Sequence, residues 1–251
     1  KNLEKYQLRI TSGLTHESVI AKSELFQGLN TRKNHSLYSQ LDKKIGKLNI
    51  SAGARYEYFG IDSEQEFVTD NGDTLTHFAA AKPVFRTGVN YQLAEATFLR
   101  SSWGQGYRFP SMAELFITAS HAGIEIFANP ELQPESGWSA EIGIKQGVKY
   151  GNWIGYLDAA AFLMRYDNMM EFTFGKWDDI INYVLDTNGN ILEYQGLGFK
   201  SLNVGKTQIS GFEFSMNGKG NITEDLSINL LAGYTYIRPV SLTPDYVYET
   251  N

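Results

Sequence analysis

The residues whose types could do chemistry gather in the middle of the chain. Tyr107-Arg108-Phe109-Pro110 is followed by Glu114, by His121, by Asn129-Pro130 and by Glu135. A guanidinium is a planar fork that suits carboxylate or phosphate. Arg108 therefore either meets an anionic ligand or forms an ion pair with Glu114 or Glu135 that pins a loop. Pro110 has no N–H to give a ladder and pushes Phe109 to extended geometry, which closes a strand and opens a loop. Asn129-Pro130 and Gln133-Pro134 are turn dipeptides whose first role is loop shape, helped by a hydrogen bond from Asn129 to the neighbouring loop. His121 is either an ordinary loop histidine or an imidazole offered to haem iron.

Other polar groups read more plainly. Asp62, Glu64, Glu66, Asp70 and Asp73 precede Lys82 with no intervening base. Asp70-Asn71-Gly72-Asp73 opens like a calcium loop, but the rest of the ligand series does not follow, and a solvated turn is expected. Asp186, Asn188, Gly189 and Asn190 form a second such turn. No nucleophile elbow, HExxH motif or P-loop occurs, and His16, His35, His77 and His121 fall in no recognisable acid–His pairing, so a rim protease is not expected. No catalytic residue, metal or cofactor is assigned.

These groups need elements to hold them, and composition limits the choice. The chain has 251 residues, 22 Lys+Arg against 28 Asp+Glu for a net charge of −6, 24 Gly, 6 Pro and no Cys. Without cysteine there is no disulfide framework, thiolate metal site or Cys nucleophile. The acid excess argues against a nucleic-acid partner. No apolar run is long enough for a transmembrane helix, whereas a transmembrane β-barrel would show no such run. High Gly and Tyr with low Pro lean towards strands.

The period along the chain is two. Leu48, Ile50, Ala52, Ala54, Tyr56 and Tyr58 alternate with Asn49, Ser51, Gly53, Arg55, Glu57 and Phe59. The pattern recurs over 226–236, 138–145 and 84–93, and less cleanly in six further segments, for about ten strands. These runs exceed the roughly 5–6 residues of soluble strands and match a tilted bilayer crossing. Tyr56, Tyr58, Tyr234, Tyr236, Trp138 and Phe85 sit at the loop-side ends of the apolar faces, as in an interfacial girdle. Arg55, Glu57, Arg86, Arg100, Glu141, Lys145 and Glu213 would share the opposite face, towards water. Short turns are expected near Gly46, Ala94, Gly151 and Gly218, and long polar loops over 60–82, 108–136 and 175–200. This is the connectivity of an outer-membrane meander. A soluble β-sandwich adhesin or lectin, or a passive outer-membrane channel, are the rival readings.

Gly104-Gln105-Gly106-Tyr107-Arg108-Phe109-Pro110-Ser111, Glu114-Leu115-Phe116 and Asn129-Pro130-Glu131-Leu132-Gln133-Pro134-Glu135 carry a resemblance. Together with Glu141-Ile142-Gly143 and Ile209-Ser210-Gly211-Phe212-Glu213, they resemble the β-barrel of TonB-dependent outer-membrane receptors, in a style similar to those of Bacteroidetes. The resemblance implies an all-β fold: an antiparallel transmembrane meander with short periplasmic turns and long extracellular loops, about ten strands of a barrel of roughly 22. It implies one barrel domain over 1–251, with an N-terminal plug and the last strands outside these residues. Its implied work is import, powered by the TonB complex through that plug, of a scarce nutrient: an iron-siderophore or haem, or else cobalamin or a glycan. Outer-membrane lipid surrounds the barrel. In this frame Arg108, His121, Arg86 and Tyr107 are the expected ligand-binding residues, with His121 as axial ligand if haem is bound. Phe109, Pro110, Glu114, Asn129, Pro130 and Glu135 structure the loop.

Overall fold

The computed structural model describes residues 2–3, 7–26, 28–69, 72–121, 124–177, 183–185, 191–194, 196–221 and 223–243. The strands are β1 (Asn2–Leu3), β2 (Leu8–Ser23), β3 (Gly28–Ile45), β4 (Leu48–Val68), β5 (Thr74–Ala94), β6 (Thr97–Arg108), β7 (Ala119–His121), β8 (Ile124–Phe127), β9 (Glu135–Tyr150), β10 (Trp153–Asp167), β11 (Met170–Lys176), β12 (Tyr183–Leu185), β13 (Ile191–Tyr194), β14 (Leu197–Asn203), β15 (Lys206–Asn221) and β16 (Ser227–Ser241). Among the described residues one α-helix, α1 (Met112–Phe116), lies between β6 and β7, and a 3-10 turn covers Glu24–Phe26. Among the described residues no helix is long and apolar enough to cross a membrane, which says nothing against crossing with strands.

Ten strands form one antiparallel sheet in the order β1-β2-β3-β4-β5-β6-β9-β10-β15-β16. It is a single layer, not the two stacked sheets of a sandwich. No ladder joins β16 back to β1 or β2 among the described residues, as suits a portion of a larger barrel. Glycine at positive φ shapes two of the tight turns: Gly46 and Gly151, both at φ 57, begin the two-residue connections β3–β4 and β9–β10.

Cross-strand register sorts the side chains. The row Asn90↔Arg100↔Gly143↔Ala160↔Glu213 and the row Gly53↔Arg86↔Gly104↔Ser139 put Arg55, Glu57, Arg86, Arg100, Glu141, Lys145 and Glu213 on one polar face. The other face is apolar and uncovered: Leu14 is 79% exposed, Ile142 66%, Tyr234 59% and Tyr56 53%. A continuous apolar face of this size needs hydrocarbon against it. Its charged members, such as Lys43, Asp62, Arg165, Lys206 and Arg238, occur only towards the strand ends. Inside that band the ladder satisfies the backbone, which is what lets a strand cross lipid.

The structure differs from expectation in two connections and in one set of side-chain contacts. The segment 60–82 is not a long loop: β4 and β5 stay paired through it, with a register shift between Asp62 and Phe67, and the connection shrinks to 69–73. The hairpin projects because Phe59, Ile61 and Phe67 pack into a core with Met112, Leu115, Phe116 and Leu132. Asp70 and Asn71, half of the calcium-like motif, lie outside the described residues. Gly218 marks no turn, since β15 runs on to Asn221. Gly220 beside it instead makes room, because a Cβ there would stand 2.5 Å from the Trp153 ring. The third difference is in the histidines. Register 62↔77 brings His77 Nδ1 to 2.6 Å from Asp62 Oδ1, and register 16↔35 brings two imidazoles together at 3.2 Å. An acid–His contact therefore exists, created by a pairing that the linear sequence does not display.

Candidate functional site

The long-loop end of the sheet is built by two insertions, one between β6 and β9 and one between β10 and β15. They interleave. β11, β14, β8 and β7 form a four-stranded sheet in that order, in which β14 and β8 run parallel. The second turn motif, Asp186 to Asn190, lies outside the described residues.

Arg108 ends β6 and Glu135 begins β9, paired residues of the ladder. The guanidinium donates from Nε and Nη2 to the two oxygens of Glu135 at 2.7 and 3.0 Å, and from Nη1 to Glu114 at 2.8 and 2.9 Å. Both carboxylates thus share one fork. Glu114 is held in place by α1 itself: Ser111 Oγ accepts the Glu114 N–H, and Glu114 accepts the Ser111 N–H at 2.8 Å. This capping box was readable as Ser111-x-x-Glu114, and it is the signal for the helix that the loop reading passed over. Glu135 also accepts the Met170 N–H at 2.6 Å, which ties in the second insertion.

Further ties join the same two segments. Asn129 Nδ2 donates to the Ser201 carbonyl at 2.8 Å, the loop-to-loop bond expected of it. Asn203 accepts the Gln133 N–H and donates to the carbonyls of Gln133 and Asn168. Pro130 is buried and Pro110 fully so. Phe109 stacks on Phe59 with centroids 4.6 Å apart. Strict alternation would send Tyr107 to the apolar face with Leu99 and Trp103. However, β6 leaves β5 beyond the Arg86↔Gly104 pair, and the Gln105 carboxamide accepts the Phe85 N–H there. There, past its pairing with β5 but still paired with Ser136 of β9, the Tyr107 hydroxyl donates to Glu57, a buried carboxylate that also accepts from Arg55 at 2.7 Å and Asn34 at 2.6 Å.

Arg86, Tyr107, Arg108 and Glu135 line one open hollow of about 420 Å³, walled partly by Gly104, Gly106 and Gly137. The structure therefore brings three of the four expected ligand residues to one place. His121 stands apart at the end of β7, its backbone opposite Ile124, and its side chain is outside the described residues.

Burial opposes ionisation of Glu114 and Glu135. The Ser111 and Arg108 donors outweigh it for Glu114, and the Arg108 and Met170 donors for Glu135, so both carboxyls lie below their ordinary values. The bond to Glu135 leads in raising the Arg108 guanidinium well above its ordinary value. These groups sit beyond the apolar band. The ion-pair knot is then fully present above the ordinary carboxylate value of 4.5 and is lost as pH falls through the lowered values of the two glutamates. Amide protection over 109–134, corrected for the slower intrinsic exchange in acid, is expected to fall once the pH drops below the ordinary carboxylate range, with the main ladder still protected.

Among the described residues the arrangement is one of fixed loops over a polar wall. A family model described as TonB dependent receptor-like, beta-barrel, matches residues 8–251. The chain belongs to the TonB-dependent receptor β-barrel family. It is therefore a barrel portion of an outer-membrane receptor family, with the polar face towards the lumen and the apolar face in hydrocarbon. The fold is similar to that of the hemophore receptor HasR of Serratia marcescens, solved with its hemophore and heme (TM-score 0.68, 18% identity, 91% of this chain and 38% of that one). It is also similar to the FrpB iron transporter of Neisseria meningitidis (TM-score 0.55, 14% identity, 93% and 33% covered). Hemoglobin and hemoglobin-haptoglobin-binding protein A of Haemophilus influenzae is 25% identical over 140 residues, 55% of this chain and 12% of that protein. The matched residues thus span about an eighth of that curated relative's length.

Proposed function

We propose that residues 1–251 are one portion of the single barrel of an active-transport receptor that imports an iron chelate or haem. Energy would come from the TonB complex acting on a plug encoded outside these residues. The observation that carries the reading is the pairing of a polar lumen wall with an outer loop layer locked by Arg108, Glu114 and Glu135. Such a layer presents a preorganised surface above the lumen. The relatives named for hemoglobin binding, for a hemophore with heme and for iron transport support the choice of cargo. Within this reading Arg108, Tyr107 and Arg86 shape the hollow, and His121 is the residue suited to haem iron.

The test uses the full-length protein in cells stripped of their own iron receptors. Growth on haem or a ferric siderophore as sole iron source, with saturable uptake of the labelled compound that a protonophore stops at once, is the expected result. Cobalamin and an oligosaccharide serve as the other arms of the panel. Uptake that ignores the protonophore and does not saturate would replace the receptor with a passive channel.

A further inference from the structure

The arginines of the lumen face differ in one respect. Arg9 meets Asp42 at 3.0 Å, Arg32 meets Glu17, Arg55 meets Glu57 at 2.6 Å, and Arg108 holds two glutamates. Arg100 lies flat on the wall over Gly143, where a Cβ would stand 2.9 Å from its guanidinium carbon, and it is neutralised by Glu141 at 2.9 Å and Asp158 at 2.6 Å. Arg86 is seated in the same manner. Its neighbours across both ladders are glycines, Gly53 and Gly104, and a Cβ at Gly53 would come within 3.1 Å of its Nε. Yet no carboxylate reaches Arg86 among the described residues. Its partner among them is the neutral carboxamide of Gln40, turned towards it because Gln40 Nε2 donates to Asp42 at 2.9 Å.

The wall thus gives up side chains at two positions to lay down a guanidinium, fixes one corner of it, and leaves the other N–H groups open to the lumen. A planar cation held this way is preorganised for a carboxylate. It also borders the hollow of about 420 Å³ below the loops, where a charged group arriving from outside would pass. We propose that Arg86 is an anion seat on the lumen wall that takes a carboxylate. The carboxylate comes either from the imported ligand or from an acidic side chain of another segment of the same polypeptide lodged in the lumen. The first source rests on the import reading above; the second does not.

The experiment compares the full-length wild type with Arg86→Gln and Arg86→Lys. Each is titrated with haem, with haem dimethyl ester, which lacks free carboxylates, and with ferric citrate. Cells carrying each form are also scored for entry of a bulky antibiotic that a filled lumen keeps out. A loss of about tenfold or more for the carboxylate ligands in Arg86→Gln, partly recovered in Arg86→Lys and not seen with the ester, assigns the seat to cargo. Unchanged affinities with increased antibiotic entry assign it to the protein's own carboxylate. Arg86→Gln indistinguishable from wild type in both readouts overturns the proposal. Failure of the import reading looks different, because there the wild type itself binds none of the ligands.

Discussion

Ile142→Arg is expected to stop the barrel from assembling in the membrane. Ile142 lies in the middle of β9 between Ser101 and Ala161, on the face it shares with Ala140 and Ile144, and is 66% exposed. An arginine there would sit near the hydrocarbon midplane, where such a charge costs about 2–4 kcal/mol. That is a large part of the net stability of a domain. Ser215→Lys is the matched control. Ser215 pairs with Asp158 and Gly233 on the lumen face, where a cation stays in water near an acid. The two full-length variants are compared by the heat-modifiable band in outer-membrane fractions and by unfolding titration in vesicles. Ile142→Arg should be depleted and Ser215→Lys retained. Equal yields would refute the assignment of the apolar face to lipid and the polar face to the lumen.

Arg108→Ala is expected to free both long insertions without unfolding the sheet. The substitution leaves Glu114 and Glu135 facing one another without their cation, and Glu135 is also the acceptor for the Met170 N–H. The side chain of Arg108 is 45% exposed and those of the glutamates 25% and 20%, so water softens the loss. A cost of about 2–3 kcal/mol is reasonable between a surface pair and a buried one. Limited proteolysis of the full-length protein should show new cuts within 109–134 and 168–205 and none in the ladder. Arg108→Lys should restore little, since an ammonium cannot grip two carboxylates through a fork. Loops as resistant as in wild type would show that other ties suffice.

What was legible in the sequence follows from the range of each signal. Alternation is local, so the strands, the two faces and the confinement of Arg55, Arg86, Arg100 and Glu213 to one of them could be read directly. Tight turns announced by Gly46 and Gly151 were equally local. The family motif led to Arg108, Glu114, Asn129 and Glu135, and the ion pair was one of two readings of the arginine. Pairing register is not local. It alone brings His77 to Asp62, 15 residues away, and prolongs β4 and β5 past their expected ends. Tyr107 misleads for a different reason: alternation alone puts it on the apolar face, whereas past the end of the β5–β6 ladder its hydroxyl reaches Glu57. The parallel contact of β14 with β8 joins segments that few rules of sequence would place side by side. Only the Ser111-x-x-Glu114 spacing was present and unread.

That parallel contact has a consequence for anyone wishing to block the protein from outside. Gly198, Phe199 and Lys200 run beside Glu125, Ile126 and Phe127, and Asn129 reaches Ser201 across a separation of 72 residues. The exterior is therefore a patchwork epitope, stitched from stretches that a linear immunogen would part. A peptide copied from either insertion carries half of the surface and few of its bonds, so blocking antibodies are better raised against the intact pair.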